Sequence, residues 1–127
     1  MTKTERVMEL RNDPDRHYGC SESILMAFHE ELGIGEEEAG QIGRMFGGGM
    51  HYGGPCGTIS AALMLLGIRG GGKPDSIKLI HDFRERFGSP ECRDLVRQAA
   101  EAGIPKKECC DAMIKAMAEM LETGKPL

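Results

Sequence analysis

A chain of 127 residues can enclose one continuous core but not two, so a single domain over 1–127 is expected. Hydrophobic residues at 40% and charged residues at 28% exclude disorder, and no apolar run approaches bilayer-spanning length, so the protein is not expected to be membrane-embedded. Sixteen basic against twenty acidic residues leave a net charge of -4 without any Lys/Arg cluster, which argues against nucleic acid as a partner.

Helical periodicity recurs along the chain and the two-residue alternation of strands does not. The expected fold class is therefore all-α, a compact single-domain bundle of about six or seven short helices around a buried central helix. The amino-terminal MTKTERVMELRND has charges at alternate turns and neither an apolar h-region nor a cleavage site; no secretory signal is expected, and the protein reads as cytoplasmic. The first helix is expected over 3–12. GCSESILMAF opens the second, over 20–32, and Gly33-Ile34 stops it, since a left-handed glycine followed by an apolar contact suits a helix end. The third, over 36–46, begins on Glu36 to Glu38, whose carboxylates suit the positive end of the helix dipole.

GGGMHYGGPCG, residues 47–57, then places six glycines and one cysteine in eleven residues. It lacks GxxxxGK[ST] and follows no strand, so it is not read as a phosphate-binding loop. It reads as the entrance to a thiol site, with Gly48, Gly49, Met50, His51 and Gly57 as candidates for contacting a ligand or cofactor. Pro55 is expected to start the next helix, over 55–68, whose TISAALMLLGI is apolar nearly all round and marks the central helix, stopping at Gly67-Ile68. Helices over 75–87 and 105–123 are amphipathic, with Ile77, Ile80 and Phe83 or Phe87, then Met113, Met117 and Met120, toward the core; these methionines read as gap-fillers rather than metal ligands. Between them, Ser89-Pro90-Glu91 supplies an N-cap, a first-turn proline and an early carboxylate for a helix over 90–102, which ends at Gly103-Ile104.

Five cysteines, Cys20, Cys56, Cys92, Cys109 and Cys110, are many for a small protein of a reducing compartment, where permanent disulfides rarely persist. No CxxC is present, so any shared site is assembled in three dimensions. Each cysteine falls in the first one or two turns of an expected helix, where unpaired N–H groups and the dipole stabilise a thiolate and lower its pKa. Each also lies on an apolar face, Cys20 with Ile24 and Phe28, Cys92 with Val96 and Ala99, Cys110 with Met113 and Met117. One such cysteine alone reads as a small buried hydrophobe, but four pointing inward together read as a site.

Two chemistries fit it. A pair of thiols cycles between dithiol and disulfide as in a thiol–disulfide oxidoreductase, with Cys56, at a helix amino terminus after the glycine-rich segment, exchanging with one of the other thiols and all five as catalytic candidates. Alternatively, Cys20, Cys56, Cys92 and Cys109 hold zinc or an iron–sulfur cluster. A third reading is a helical interaction module whose thiols are inert. One helix does not readily aim adjacent residues at one centre, so Cys109 or Cys110 is expected to be spare. His51 is read as a neighbour of Cys56, and His17, His29 and His81 as scattered polar residues. A redox partner or small ligand is implied, without an identity.

Four blocks in order, GCSESILMAF around Cys20, GGGM followed by GGPCGTISAALMLLG, FGSPECRDL around Cys92 and KKECCDAMIKAMAEML, resemble the family of redox-active proteins named for the cysteine pattern C_GCAxxG_C_C. The resemblance runs from about Cys20 to the last helix. It implies a small protein with four shared cysteines, redox activity, and genes often found near those of transporters. By position the four are Cys20, Cys56, Cys92 and one of the final pair, of which Cys109 aligns slightly better. The chain departs from CGAxxG with Thr58 for the alanine and Ala61 for the second glycine, both small, adding bulk where helices or a ligand approach closely.

Overall fold

The computed structural model describes residues 1–127. Its fold is all-α, with α1 (Lys3–Arg11), α2 (Cys20–Ala27), α3 (His29–Leu32), α4 (Glu36–Arg44), α5 (Gly57–Ile68), α6 (Lys73–Phe87), α7 (Cys92–Ala102) and α8 (Lys106–Thr123). No strand forms, and the only β-type pairing is an isolated antiparallel bridge between Pro55 and Glu91. No helix is long and apolar enough to cross a membrane.

The joints differ from expectation for local reasons. The second expected helix breaks at Phe28 into α2 and α3, and Gly33 ends α3 in the left-handed region with φ 72. Gly103 does the same for α7, where the Ile104 N–H donates to the Ala99 carbonyl and the Gly103 N–H to the Ala100 carbonyl. Gly67 does not: it stays helical inside α5, and the chain turns at Gly70 instead. Pro55 does not start α5, because it is held in the bridge to Glu91, and Cys56 becomes the N-cap. Ser89 and Pro90 likewise precede α7 rather than begin it; Glu91 is the N-cap, while the Ser89 hydroxyl accepts from the Glu91 N–H and donates to Asp94.

α5 is buried along its amino-terminal half, through Thr58, Ile59, Ala61, Ala62 and Leu65, but its last turn emerges into solvent. The most enclosed helix is α2, buried from Ser21 to its end at Ala27 among α1, α4, α5 and α8. Three polar residues hid this in the sequence, and each finds a partner inside: Ser21 donates to the Gly43 carbonyl, Ser23 to that of Cys20, and Glu22 takes Arg16 and Arg44. No buried side-chain nitrogen or oxygen lacks a partner, so the enclosure leaves no desolvation cost uncompensated. Met113 and Met117 fill the core as expected, whereas Ile77 is 58% exposed and Leu79 takes the inward place on α6.

Candidate functional site

The amino termini of α2, α5, α7 and α8 converge. Cys20 is the first residue of α2, Cys56 caps α5, Cys92 is the first residue of α7, and Cys109 and Cys110 lie in the first turns of α8. All five cysteines line one cavity of about 420 Å³. Its apolar wall is Leu95, Val96, Ala99 and Met113; its polar wall is Arg11, His17, Lys106 and Lys107. Both members of the Cys109-Cys110 pair reach it, because the cavity is broad enough to accept residues about 100° apart on one helix.

Two backbone devices set this geometry. The bridge exchanges hydrogen bonds at 2.8 Å from the Cys56 N–H to the Pro90 carbonyl and from the Cys92 N–H to the Gly54 carbonyl, locking the starts of α5 and α7 side by side. Gly57 then lets α2 close in, because a Cβ there would stand 2.6 Å from Cys20 Sγ and 2.8 Å from the Phe46 carbonyl oxygen. The glycine-rich segment feeding them forms one left-handed turn, with φ of 61, 62, 57 and 63 at Gly48, Gly49, Met50 and His51. Two of these are not glycine and store strain of about 1–2 kcal/mol each.

Gly48, Cys56 and Gly57 therefore line the thiol cavity, and Gly49 backs it, since a Cβ there would lie 2.7 Å from that of Cys92. Met50 is 43% exposed and lines neither this cavity nor its neighbour. His51 is not at the thiols: Nε2 donates to the Arg44 carbonyl at 3.0 Å, closing the end of α4, and the ring faces an adjoining polar cleft. Of the other histidines only His17 borders the cavity; His29 bonds the Ile34 carbonyl, and His81 lies exposed beside Asp82.

Burial overrides the expected acidifying effect of the helix ends. Cys56 is pushed from 9.0 up to about 11, first by burial and then by the neighbouring Cys20, against hydrogen bonds from Thr58 and the Ile59 backbone. Cys92 and Cys110 are also raised by burial first and Cys20 second, with Lys106 opposing in both cases. Loss of water around a thiolate costs more than these helix ends return. Cys20 is the common electrostatic neighbour of the other three.

Arg11, buried at the end of α1, donates from Nε to Asp111 at 2.7 Å and from a terminal nitrogen to the Tyr18 carbonyl at 2.7 Å. Burial pushes Asp111 up, but hydrogen bonds from Lys107 and Arg11 outweigh it and hold its carboxyl below the usual range. Sequence reasoning missed these cations. Lys106 was recoverable, since it precedes Cys110 by four residues and shares its helix face. Arg11 carries no local signal, because its partner lies at the other end of the chain.

The donor set does not fit a metal in this arrangement: no group of three or more His, Cys, Asp or Glu side chains is placed to hold one. The expected ligation by Cys20, Cys56, Cys92 and Cys109 therefore finds no set of three donors grouped for it.

Fold and cavity together define a small all-α protein built around a multi-cysteine recess. More particularly, residues 18–123 match the family described as "Putative redox-active protein (C_GCAxxG_C_C)", and the chain belongs to that family. No curated protein and no solved structure matches it.

Proposed function

We propose that the protein carries out thiol–disulfide exchange within the cavity, with Cys20 as the shared reacting sulfur. The observation that carries this is the gathering of five free cysteines from four helices on one cavity, three of them sensitive to charge on Cys20. A Cys20 thiolate attacks an incoming disulfide, its sulfur–sulfur bond breaks, and one substrate thiolate leaves and takes up a proton. The mixed disulfide carries no charge at Cys20. One of the two main influences raising Cys56, Cys92 and Cys110 then disappears, so the thiols that must resolve the intermediate become more acidic once it has formed. The resolving thiolate closes an internal disulfide and expels the second substrate thiolate: two protein thiols are oxidised and one disulfide is reduced to two thiols.

Cys56 suits a resolving role better than an attacking one, since a thiol near 11 is about 0.01% ionised at neutral pH. The exchange reading implies a reducing compartment in which the thiols are regenerated, and so a cytoplasmic location. The test is a redox titration in mixtures of oxidised and reduced dithiothreitol, with unreacted thiols counted by alkylation after unfolding. Two thiols should disappear together in one reversible two-electron step. Five alkylatable thiols at every ratio would leave a helical module with inert cysteines.

A further inference from the structure

Beside the thiol cavity lies a second recess, and the proposed function does not use it. It is a polar cleft of about 490 Å³ without any apolar side chain in its wall. Arg16, Arg44, His17 and His51 face it, with Glu22 at its base. Glu22 is committed: one oxygen accepts from Arg16 at 2.7 Å and Arg44 at 3.1 Å, the other from the Gly19 N–H at 3.0 Å. Two guanidinium groups against one carboxylate leave a positive excess, in a chain whose net charge is -4.

The two side chains, 46% and 52% exposed, each give Glu22 a single hydrogen bond and keep other N–H groups free. The Arg16 guanidinium is further held 4.3 Å from the centre of the Tyr18 ring. A buried acid thus fixes two arginines, and their remaining donors suit a carboxylate or phosphate. His17, Gly19 and Gly48 border both recesses, so the cleft opens directly beside the thiols.

We infer that this cleft seats the anionic end of the substrate, a small disulfide bearing carboxylate groups, while its sulfur–sulfur bond enters the thiol cavity. The inference rests on the thiol-exchange reading for its chemistry. Two protein thiols and the disulfide yield one protein disulfide and two carboxylate-bearing thiols, so electrons and protons balance without another reactant.

Three disulfides of similar length separate charge from reactivity: 3,3′-dithiodipropionate, bis(2-hydroxyethyl) disulfide and cystamine, being dianionic, neutral and dicationic. Reduced protein should lose thiols to the dianion at least about tenfold faster than to cystamine at low salt, with the neutral compound between, and about 0.5 M salt should collapse the gap. R44Q should lower the dianion-to-neutral rate ratio several-fold, while K78Q, exposed on α6 and lining neither recess, keeps it; each ratio is internal to one variant and insensitive to its stability. Equal rates for all three compounds, or a ratio that survives R44Q, would overturn the cleft assignment. Failure of every disulfide to oxidise the protein would instead overturn thiol exchange. Adipate, a dianion without a sulfur–sulfur bond, then reports on the cleft alone: shifted His17 and His51 ring resonances support anion binding there, and unchanged resonances refute it.

Discussion

Serine in place of Cys56 should flatten the alkaline arm of the stability curve. In the native protein burial, followed by the charge on Cys20, moves this thiol from 9.0 to about 11. Below pH 9 both folded and unfolded chains keep the proton, and the contribution is fully present. Between pH 9 and 11 the unfolded chain gives it up while the native one holds it, so stability falls as pH rises. Two pH units at 1.36 kcal/mol each make the loss about 3 kcal/mol. Urea unfolding under reductant at about pH 8 and about pH 11 measures it, and serine does not titrate in that range. The wild type should lose about 2 kcal/mol more than C56S across the interval, since at pH 11 the native thiol is only half ionised and the last part of the loss lies above it, with other titrating groups cancelling in the difference. In the C20S background the gap should shrink without vanishing, because burial remains. Parallel curves for wild type and C56S would refute the assignment of a buried, neutral thiol at the start of α5.

Gly57→Ala should cost about 1–3 kcal/mol and lower Tm by several degrees, because the new Cβ meets both Cys20 Sγ and a backbone carbonyl; an unchanged Tm would show that α2 and α5 are not in close approach. Met50→Gly should stabilise by up to about 1 kcal/mol, since a partly exposed side chain gives up a left-handed conformation with little contact to lose. Arg11→Met should destabilise by about 2–4 kcal/mol, with the Tyr18 carbonyl and part of the Asp111 carboxylate left unpartnered. Urea denaturation at neutral pH checks both variants, and a stable Arg11→Met would argue that Lys107 alone satisfies Asp111.

Helix-forming periodicity made most elements legible, and the cysteines at helix starts located the cavity without coordinates. What escaped was tertiary. α2 was obscured as the enclosed helix by Ser21, Glu22 and Ser23, which look solvent-facing until Gly43, Arg16 and Arg44 supply their partners. Pro55 and Pro90 looked like helix starts, yet their segments pair with one another, and pairing between residues so far apart in sequence leaves no local trace. Thiol acidity was misjudged because helix ends are visible in sequence while desolvation depends on what packs above them. His51 was placed beside Cys56 by sequence proximity, but the left-handed turn carries its ring to the end of α4. The arginines of the polar cleft come from the segment before α2 and the end of α4, and only Glu22 brings them together.

Disulfide mapping of mildly oxidised protein tests the thiol cavity most directly. After oxidation, blocking and proteolysis under non-reducing conditions, one intramolecular bond should join Cys20 to another cavity cysteine, disappear with reductant, and fail to form in C20S. Five blocked free thiols in the oxidised wild type, or an internal disulfide that forms equally well in C20S, would contradict it.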